Sequence, residues 1–182
     1  ESPATDRILV GIPAYNEEVG IGSTILAAQQ YSSTVVVVDD GSVDNTVSIA
    51  AQTDAVVLEH HENIGKGGAV RTIFEYAHGH DFDALVLIDA DGQHVPGEIP
   101  DVAQPVLDDD VDMAIGSRYV ENEGTETPLY RRFGQRVLDV LTTGSTNSEL
   151  TDTQSGFRAF SPEAVDELTM LTDGIGVESG MM

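Results

Sequence analysis

Apolar and polar residues fall in blocks along this chain instead of alternating singly. Short uninterrupted apolar runs, rich in valine, isoleucine and leucine, are each followed by a polar turn and then by a longer segment. A continuous apolar run of this kind suits a strand that is buried on both faces of a parallel sheet. The strands predicted in this way span residues 7–13, 34–38, 55–58, 85–88 and 113–115, with a last strand ending at residue 160.

Helices are predicted between these strands. Asn16 is a favoured N-cap residue, and the helix that it begins should run to about residue 30. Asp44 or Asn45 should cap the next helix, which runs to about residue 53. The remaining predicted helices span 66–78, 98–107 and 129–143, and a last one begins at Ser161-Pro162, in the favoured order of cap and proline.

Two of these predicted helices are amphipathic. The helix at 66–78 has one apolar face, formed by Ala69, Ile73, Phe74 and Ala77. The helix at 129–143 repeats its apolar residues every four positions, at Leu129, Phe133, Val137 and Leu141. The alternation of strands with helices predicts an α/β fold with a right-handed, mostly parallel, Rossmann-like sheet flanked by helices on both faces. The length of 182 residues suits a single domain, which would span residues 1–182.

The charge balance narrows the range of partners. The chain has 32 acidic against 8 basic residues, a net charge of −24 and an isoelectric point near 4.1. A nucleic acid is not an expected partner, because binding it requires a basic surface. The acids are dispersed, and such a surface is typical of proteins adapted to high salt, which predicts a halophilic archaeal source. The chain has no cysteine, so no disulfide or thiolate chemistry is expected.

The basic residues are clustered. Four of the eight lie between Arg118 and Arg136, and Lys66 is the single lysine of the chain. In so acidic a chain this cluster predicts an anionic ligand, with ion pairs to neighbouring acids as the alternative.

The fourth predicted strand leads into a candidate metal site. The apolar run 85–88 is followed by Asp89, Asp91 and Gln93. Oxygen atoms of this kind are the ligands that Mg²⁺ or Mn²⁺ takes while it also holds substrate phosphates. The carboxyl ends of parallel strands are where α/β folds bind their ligands. An acidic turn that only solvates the strand end is the alternative.

Three strand ends should meet at one edge of the sheet. They carry Pro13-Ala14-Tyr15, Asp39-Asp40-Gly41-Ser42 and Asp89-Ala90-Asp91. Together they offer an aromatic face for a base, a carboxylate for base or ribose donors, and a metal pair for phosphates. This set predicts a site for a nucleoside diphosphate with a divalent ion. No GxGxxG motif follows the first strand, and the glycines around Lys66 lack the spacing of a P-loop.

Six segments, taken together, carry a resemblance to a known family. They are IPAYNEE, VVVVDDGSVDNT, NIGKGGAVRTIFEYA, LIDADGQHVP, GSRY and TDTQSGFRAF. In this order and spacing they closely resemble the family 2 glycosyltransferases of GT-A fold. The closest branch is that of the dolichyl-phosphate mannosyl- and glucosyltransferases and their archaeal relatives. The resemblance covers about residues 7–180.

The resemblance implies a role for each matching residue. Nucleotide-sugar binding is implied for Pro13, Ala14, Tyr15, Glu17, Asp39, Asp40, Lys66, Arg71, Asp89 and Ala90. Among these, Asp39 matches the carboxylate that contacts the base. The metal motif is matched by Asp89 and Asp91, with Gln93 as an added ligand, and Mg²⁺ or Mn²⁺ is the implied cofactor. The acceptor phosphate is implied to lie at Arg118, Arg131 or Arg132, and Gln135.

The implied activity is transfer of a hexose from a nucleoside-diphosphate sugar to dolichyl or polyprenyl phosphate by one inverting displacement, as for protein N-glycosylation or lipid-linked sugar donors. The metal would stabilise charge on the leaving nucleoside diphosphate. A phosphate acceptor is already ionised, so positioning by arginines can replace a general base. The candidate catalytic residues are Asp91, Arg118, Arg131 and Glu178. Relatives commonly carry an acid at the position of Gly180, and Glu178 is the candidate replacement.

Two other functions stay open from the sequence. The same fold could transfer the sugar to a saccharide or protein hydroxyl, or the chain could be a nucleotide-sugar binding module without turnover. The expected location is the cytoplasm, at the cytoplasmic face of the membrane. The chain opens without a methionine and ends abruptly, so truncation of a longer protein with a membrane anchor is a further expectation.

Overall fold

The computed structural model describes residues 7–92, 96–116, 129–130 and 157–178, with side chains for 7–92, 96–116 and 157–170. The described strands are β1 (Ile8–Ala14), β2 (Thr34–Asp39), β3 (Val56–Glu59), β4 (Ala84–Leu87), β5 (Met113–Ile115), β6 (Leu129–Tyr130) and β7 (Arg158–Phe160). The described helices are α1 (Ile21–Ala28), α2 (Thr46–Ala50), α3 (Lys66–His78), α4 (Ile99–Leu107) and α5 (Pro162–Glu178), with a 3₁₀ turn at Pro96–Glu98.

These strands form one sheet in the order β3-β2-β1-β4-β7-β5-β6. Strands β3, β2, β1 and β4 are parallel. Strand β7 is antiparallel to β4 and β5, and β6 is antiparallel to β5. The predicted mostly parallel sheet is therefore confirmed. The chain adds β2 and β3 on one side of β1 and then β4 on the other, and α/β folds bind ligands outside the strand ends where the order reverses in this way.

Helices cover both faces of the sheet, as predicted. Helices α1, α2 and α4 bury apolar residues in the core on one face, which also contains Val35 and Val37 of β2. Helices α3 and α5 bury apolar residues in the core on the other face, which also contains Val36 and Val38. Alternate side chains of one strand enter opposite cores, which explains the unbroken apolar run. No helix in the described ranges combines the length and apolar character that crossing a bilayer requires.

Helix α3 spans the predicted residues and buries the predicted face. Ala69, Ile73, Phe74 and Ala77 are all buried. The helix lies close to β1, because Gly11 leaves room for it. A Cβ at Gly11 would stand 2.5 Å from Cγ2 of Ile73. This close packing holds the first turn of α3 beside the carboxyl ends of the central strands.

Two predicted helix starts have different outcomes. The prediction for Asn16 is wrong, because α1 begins at Ile21 and Asn16 adopts a left-handed φ of 53°. Its Oδ1 instead accepts the N–H of Val43 at 2.9 Å, so a contact with a distant loop replaces the local cap. The prediction for Ser161 is confirmed, since its Oγ accepts the N–H of Ala164 at 3.1 Å.

The prediction that a helix begins at Leu129 is wrong. Leu129 and Tyr130 form β6, which pairs with β5. An edge strand presents unpaired N–H and C=O groups, and pairing with β5 outweighs the helical period of the sequence here. The rest of that predicted helix lies outside the described residues.

Candidate functional site

A cavity of about 450 Å³ opens at the carboxyl edge of the sheet, beside the first turn of α3. Its walls come from the chain after β1, β2 and β4 and from the segment that begins α3. The lining residues are Pro13, Ala14, Tyr15, Glu17, Asp40, Asn63, Gly65, Lys66, Ala69, Asp89, Ala90 and Asp91. The cavity lies where the strand order reverses, and its volume is typical of a small-molecule site.

The structure brings together residues that the sequence predicts from three separate strand ends. The predicted site residues on the cavity wall are Pro13, Ala14, Tyr15, Glu17, Asp40, Lys66, Asp89, Ala90 and Asp91. The three strand ends therefore meet at one edge of the sheet, where they bring an aromatic ring and carboxylates to one cavity beside Lys66.

Two predicted nucleotide-binding residues are not on this wall. Asp39 is buried, its Oδ2 accepts the N–H of Ser42 at 2.8 Å, and its Oδ1 has no partner among the described residues. Neighbouring side chains of a strand point to opposite faces, and it is Asp40 that lines the cavity. Arg71 is exposed and pairs with Glu75 at 3.3 Å. It lies five residues after Lys66 on α3, and this spacing turns its side chain about 140° around the helix from that of Lys66.

Asp40 joins three segments behind the cavity wall. Its Oδ1 accepts hydrogen bonds from His60 Nδ1 at 2.7 Å and from the N–H of Ile64 at 3.0 Å, and its Oδ2 accepts the N–H of Gly65 at 2.8 Å. The other ring nitrogen of His60 lies 2.9 Å from Thr72 Oγ1. Burial acts to raise the pKa of Asp40, but these hydrogen bonds and the charge of His60 lower it overall. An ionised carboxylate thus anchors the turn that precedes α3.

Hydrogen bonds also tie the loop after β1 to the loop after β2. Ser42 Oγ accepts the N–H of Asn16 at 2.8 Å, while Asn16 Oδ1 accepts the N–H of Val43 at 2.9 Å. Further along, Glu18 Oε2 accepts the backbone N–H and the side-chain amide of Asn45, at 3.1 and 2.9 Å. These reciprocal bonds fix the segment that supplies the aromatic wall of the cavity.

Thr46 connects this loop pair to the site, and its hydroxyl gives a testable prediction. Its Oγ1 accepts the N–H of Glu17 at 2.8 Å and donates to Asp44 Oδ1 at 2.5 Å. A Thr46→Val variant keeps the volume but leaves the N–H of Glu17 without its acceptor and removes one of the hydrogen bonds to Asp44, so the unfolding free energy should fall by about 1–3 kcal/mol. Thermal unfolding checks this, with Thr34→Val as the matched control at a half-buried strand position. Equal stability of the two variants would contradict the role of Thr46.

The cavity has a strongly acidic wall, formed by Glu17, Asp89 and Asp91. Burial raises the pKa of Glu17, and the charges of Asp91, Asp44 and Asp89 raise it further. Against this wall, Lys66 Nζ lies 2.5 Å from Asp89 Oδ1. The carboxylates are therefore close enough to act on one another, and a cation is the group that would relieve their repulsion.

Asp89 and Asp91 suit a divalent ion that arrives with phosphate. Mg²⁺ typically keeps one or two carboxylates and completes its shell with phosphate oxygens and water. Within the described ranges, no group of three or more His, Cys, Asp or Glu side chains could hold a metal by itself. The donor set fits a metal shared with substrate, and Gln93, the predicted added ligand, lies outside the described residues.

Gly20 sets the distance between α1 and the Asp89–Asp91 turn. A Cβ there would stand 2.6 Å from the carbonyl oxygen of Ala90. A Gly20→Ala variant should therefore displace the turn and lower the rate of the reaction at this site about ten- to hundredfold, since small misplacements of reacting groups are costly. The matched control is Gly22→Ala, whose Cβ would meet, among the described residues, the Ile49 side chain alone, at 3.1 Å. Reaction rates, measured beside melting temperatures, test this prediction, and equal rates in the two variants would contradict the packing argument.

Several predicted residues lie outside the described part of the chain. They are Gln93, Arg118, Arg131, Arg132, Gln135 and Gly180. Glu178 is the last residue of α5. Their roles in acceptor binding and catalysis stay predictions.

Sequence reasoning does not identify His60, Thr72 or Asn63, although His60 and Thr72 support the cavity and Asn63 lines it. The available signal for His60 is its position two residues after a predicted strand, at the same sheet edge as Asp40. Its partner lies 20 residues earlier in the chain, and no local pattern points to that pairing.

Comparison with known proteins defines the class of this molecule. The family model described as glycosyl transferase family 2 matches residues 9–169. The chain belongs to this family and is a glycosyltransferase. Its sheet, helices and structural neighbours confirm the expected GT-A fold.

Two relatives are similar to this chain over most of its length. The chain is 34% identical over 186 residues to UDP-N-acetylglucosamine--dolichyl-phosphate N-acetylglucosaminyltransferase of Methanococcus voltae, covering 91% of this chain and 74% of the relative. It is 34% identical over 190 residues to polyprenol monophosphomannose synthase of Mycolicibacterium smegmatis, covering 93% and 69%.

A solved structure of similar fold is glucosyl-3-phosphoglycerate synthase of Mycobacterium tuberculosis in complex with Mn²⁺, UDP-glucose and phosphoglyceric acid. The TM-score is 0.58 at 25% identity, over 86% of this chain and 57% of that chain. The chain therefore spans little more than half the length of this structural relative.

Proposed function

We propose that the protein transfers a hexose from a nucleoside-diphosphate sugar to a polyprenyl or dolichyl phosphate, with inversion at the anomeric carbon. The observation that carries this proposal is the convergence of Tyr15, Asp40, Lys66 and the Asp89–Asp91 pair on one cavity at the switch point of the sheet. The family membership of the chain fixes the class of reaction.

The donor would occupy the 450 Å³ cavity from its base to its diphosphate. Tyr15 is about half-exposed and offers a ring face to the base. Asp40 Oδ2 accepts a hydrogen bond from Gly65 and has a further lone pair for an N–H of the base or an O–H of the ribose. Lys66, at the first position of α3, lies within reach of the diphosphate, because its side chain already extends to Asp89.

Asp89 and Asp91 would hold a divalent ion, Mg²⁺ or Mn²⁺, together with Gln93. When bound, the ion neutralises negative charge on the leaving nucleoside diphosphate. A relative of similar fold is described in complex with Mn²⁺ and UDP-glucose, which supports a metal-dependent donor site. The acidic wall around Glu17, whose pKa is raised by burial and by its carboxylate neighbours, favours binding of a cation there.

The acceptor assignment rests on the relatives and on the arginines of the sequence. The names of both relatives include a prenyl lipid. One name gives dolichyl phosphate, and the other gives polyprenol monophosphomannose. Arg118, Arg131, Arg132 and Gln135 would hold the acceptor phosphate, which is already ionised at neutral pH and needs no general base. We therefore place the reaction at the cytoplasmic surface of the membrane, where a lipid phosphate is available.

The test is a transfer assay in high salt with UDP- and GDP-hexoses, Mn²⁺ or Mg²⁺, and dolichyl phosphate in detergent. The expected product is a charged glycolipid, and the configuration of its anomeric centre, read by NMR, should be opposite to that of the donor. Transfer to free saccharides with none to the lipid phosphate would overturn the acceptor assignment. Metal-dependent nucleotide binding without any transfer would favour a binding module.

A further inference from the structure

The single lysine of the chain lies on the proposed metal site. Lys66 Nζ is 2.5 Å from Oδ1 of Asp89. Asp91 and Glu17 line the same cavity, so the ammonium group lies on the acidic wall that a divalent cation would otherwise neutralise. Lys66 and a bound metal ion would therefore contact the same carboxylate, that of Asp89.

Local helix chemistry does not explain this lysine. Lys66 is the first residue of α3, where the helix dipole disfavours a cation. Gly65, the residue before it, makes no side-chain cap and has a φ of 92°, so the turn is shaped for backbone contacts with Asp40 and not for the lysine. The contact with Asp89 is the interaction that accounts for a positive charge at this position.

The ion pair is also suited to exchange partners. The Lys66 side chain is 58% exposed, whereas that of Asp89 is 18% exposed. A long side chain that is more than half solvated can swing without disturbing the core, and exposed ion pairs contribute at most about 1 kcal/mol. Asp89 follows β4 in the turn that packs on Gly20 through Ala90 and Asp91, so the more exposed Lys66 side chain is the partner that can move to another anion.

We propose that Lys66 acts as a stand-in cation that occupies Asp89 in the absence of nucleotide and moves to the diphosphate when the donor binds. This inference rests on the function proposed above. The incoming phosphates offer Lys66 a higher negative charge than one carboxylate, and they bring the oxygens that complete the shell of a divalent ion. The metal then takes the place of the ammonium on Asp89. In the protein without nucleotide, the metal ion and Lys66 would compete for Asp89. With the donor bound, Asp89 would hold the metal ion and Lys66 would contact the diphosphate.

Metal binding without nucleotide gives the first test. Mn²⁺ titrations followed by electron paramagnetic resonance should show tighter binding to Lys66→Met than to the wild type, by about two- to fivefold. UDP without metal should bind this variant roughly tenfold more weakly, because a charge-assisted hydrogen bond to phosphate is lost. Lys66→Arg keeps the charge and should stay close to the wild type in Mn²⁺ affinity.

A matched control separates competition from net charge. Arg7 pairs with Asp83 at 3.1 Å, before β1 and at the opposite edge of the sheet. Arg7→Gln removes the same charge from the chain without touching the cavity, so its Mn²⁺ affinity should equal that of the wild type. If Arg7→Gln tightened Mn²⁺ binding as much as Lys66→Met, the effect would come from overall charge and the proposal would fail.

The single lysine also gives a direct spectroscopic readout. Lysine labelled at Cε and Nζ produces one side-chain NMR signal, since the chain contains no other lysine. Saturating Mg²⁺ alone should move this signal to the position of a solvated lysine. UDP with Mg²⁺ should move it to a third position, that of a phosphate contact. A signal that stays unchanged while Mg²⁺ loads the site would overturn the exchange.

The outcomes distinguish this inference from the proposed function. A wild-type protein that binds Mn²⁺ and UDP together, while Lys66→Met matches it in Mn²⁺ affinity, overturns the lysine exchange alone. A wild-type protein that binds neither UDP nor Mn²⁺ in the presence of UDP overturns the donor site, and the exchange with it.

Discussion

An Asp91→Asn variant should lose about a thousandfold in the rate of sugar transfer while it keeps its fold. Asp91 is exposed at the cavity mouth, so its replacement should leave the packing of the core unchanged. An amide cannot supply the charge that holds a divalent ion against the diphosphate, and charge on the leaving group then stays unbalanced. Asp91 is the better choice than Asp89, because replacing Asp89 would also release Lys66.

The measurement is release of nucleoside diphosphate at saturating donor over a series of Mn²⁺ concentrations, beside thermal unfolding. Asp54→Asn is the matched control, because Asp54 is exposed just before β3, at the opposite edge of the sheet. The control should keep the wild-type rate. If Asp91→Asn transferred sugar at a similar rate at all metal concentrations, this carboxylate would not be a ligand that the reaction needs.

The largest effect on stability is expected for Asp40→Ala. The change removes the buried acceptor of His60 Nδ1 and of the N–H of Ile64, and the N–H of Gly65 keeps the longer contact with Asn63 Oδ1 at 3.2 Å. Removing one partner of a buried charged network costs about 3–5 kcal/mol of unfolding free energy. Urea unfolding at fixed salt measures this loss. Asp108→Ala, which removes an exposed carboxylate bonded to Gln104, should cost less than about 0.5 kcal/mol.

Asp40 also makes the stability of the protein depend on pH in the acid range. The pKa of Asp40 is lowered in the folded state, so its contribution to stability is complete above the unfolded carboxyl pKa of about 3.9 and is lost as the pH falls through the lower folded value. The difference in unfolding free energy between wild type and Asp40→Ala should therefore shrink below about pH 4. A difference that grew on acidification would contradict this linkage.

The sequence predicts much of the site because its signals are local. Apolar runs mark the strands, and the residues at their carboxyl ends fall at one edge of a parallel sheet, which places Tyr15, Asp40, Asp89 and Asp91 together without any contact information. The span and buried face of α3 follow in the same way from its helical period.

Other features depend on contacts between distant segments. Asn16 gives up the expected helix cap because the loop after β2 offers Val43 as a donor. Leu129 and Tyr130 leave their helical period because β5 has a free edge for them to pair with. In both cases a long-range partner outweighs a weak local preference, and no window of sequence contains that partner.

The sequence by itself determined the α/β class, the parallel central strands and the set of polar residues at their carboxyl ends, since periodicity and strand-end position are properties of neighbouring residues. Only the tertiary structure decided that Asp40, and not Asp39, lines the cavity, that Arg71 points away from it, and that Lys66 rests on Asp89. These outcomes depend on which sheet face α3 covers and how closely it packs on Gly11. That packing is a property of the assembled core.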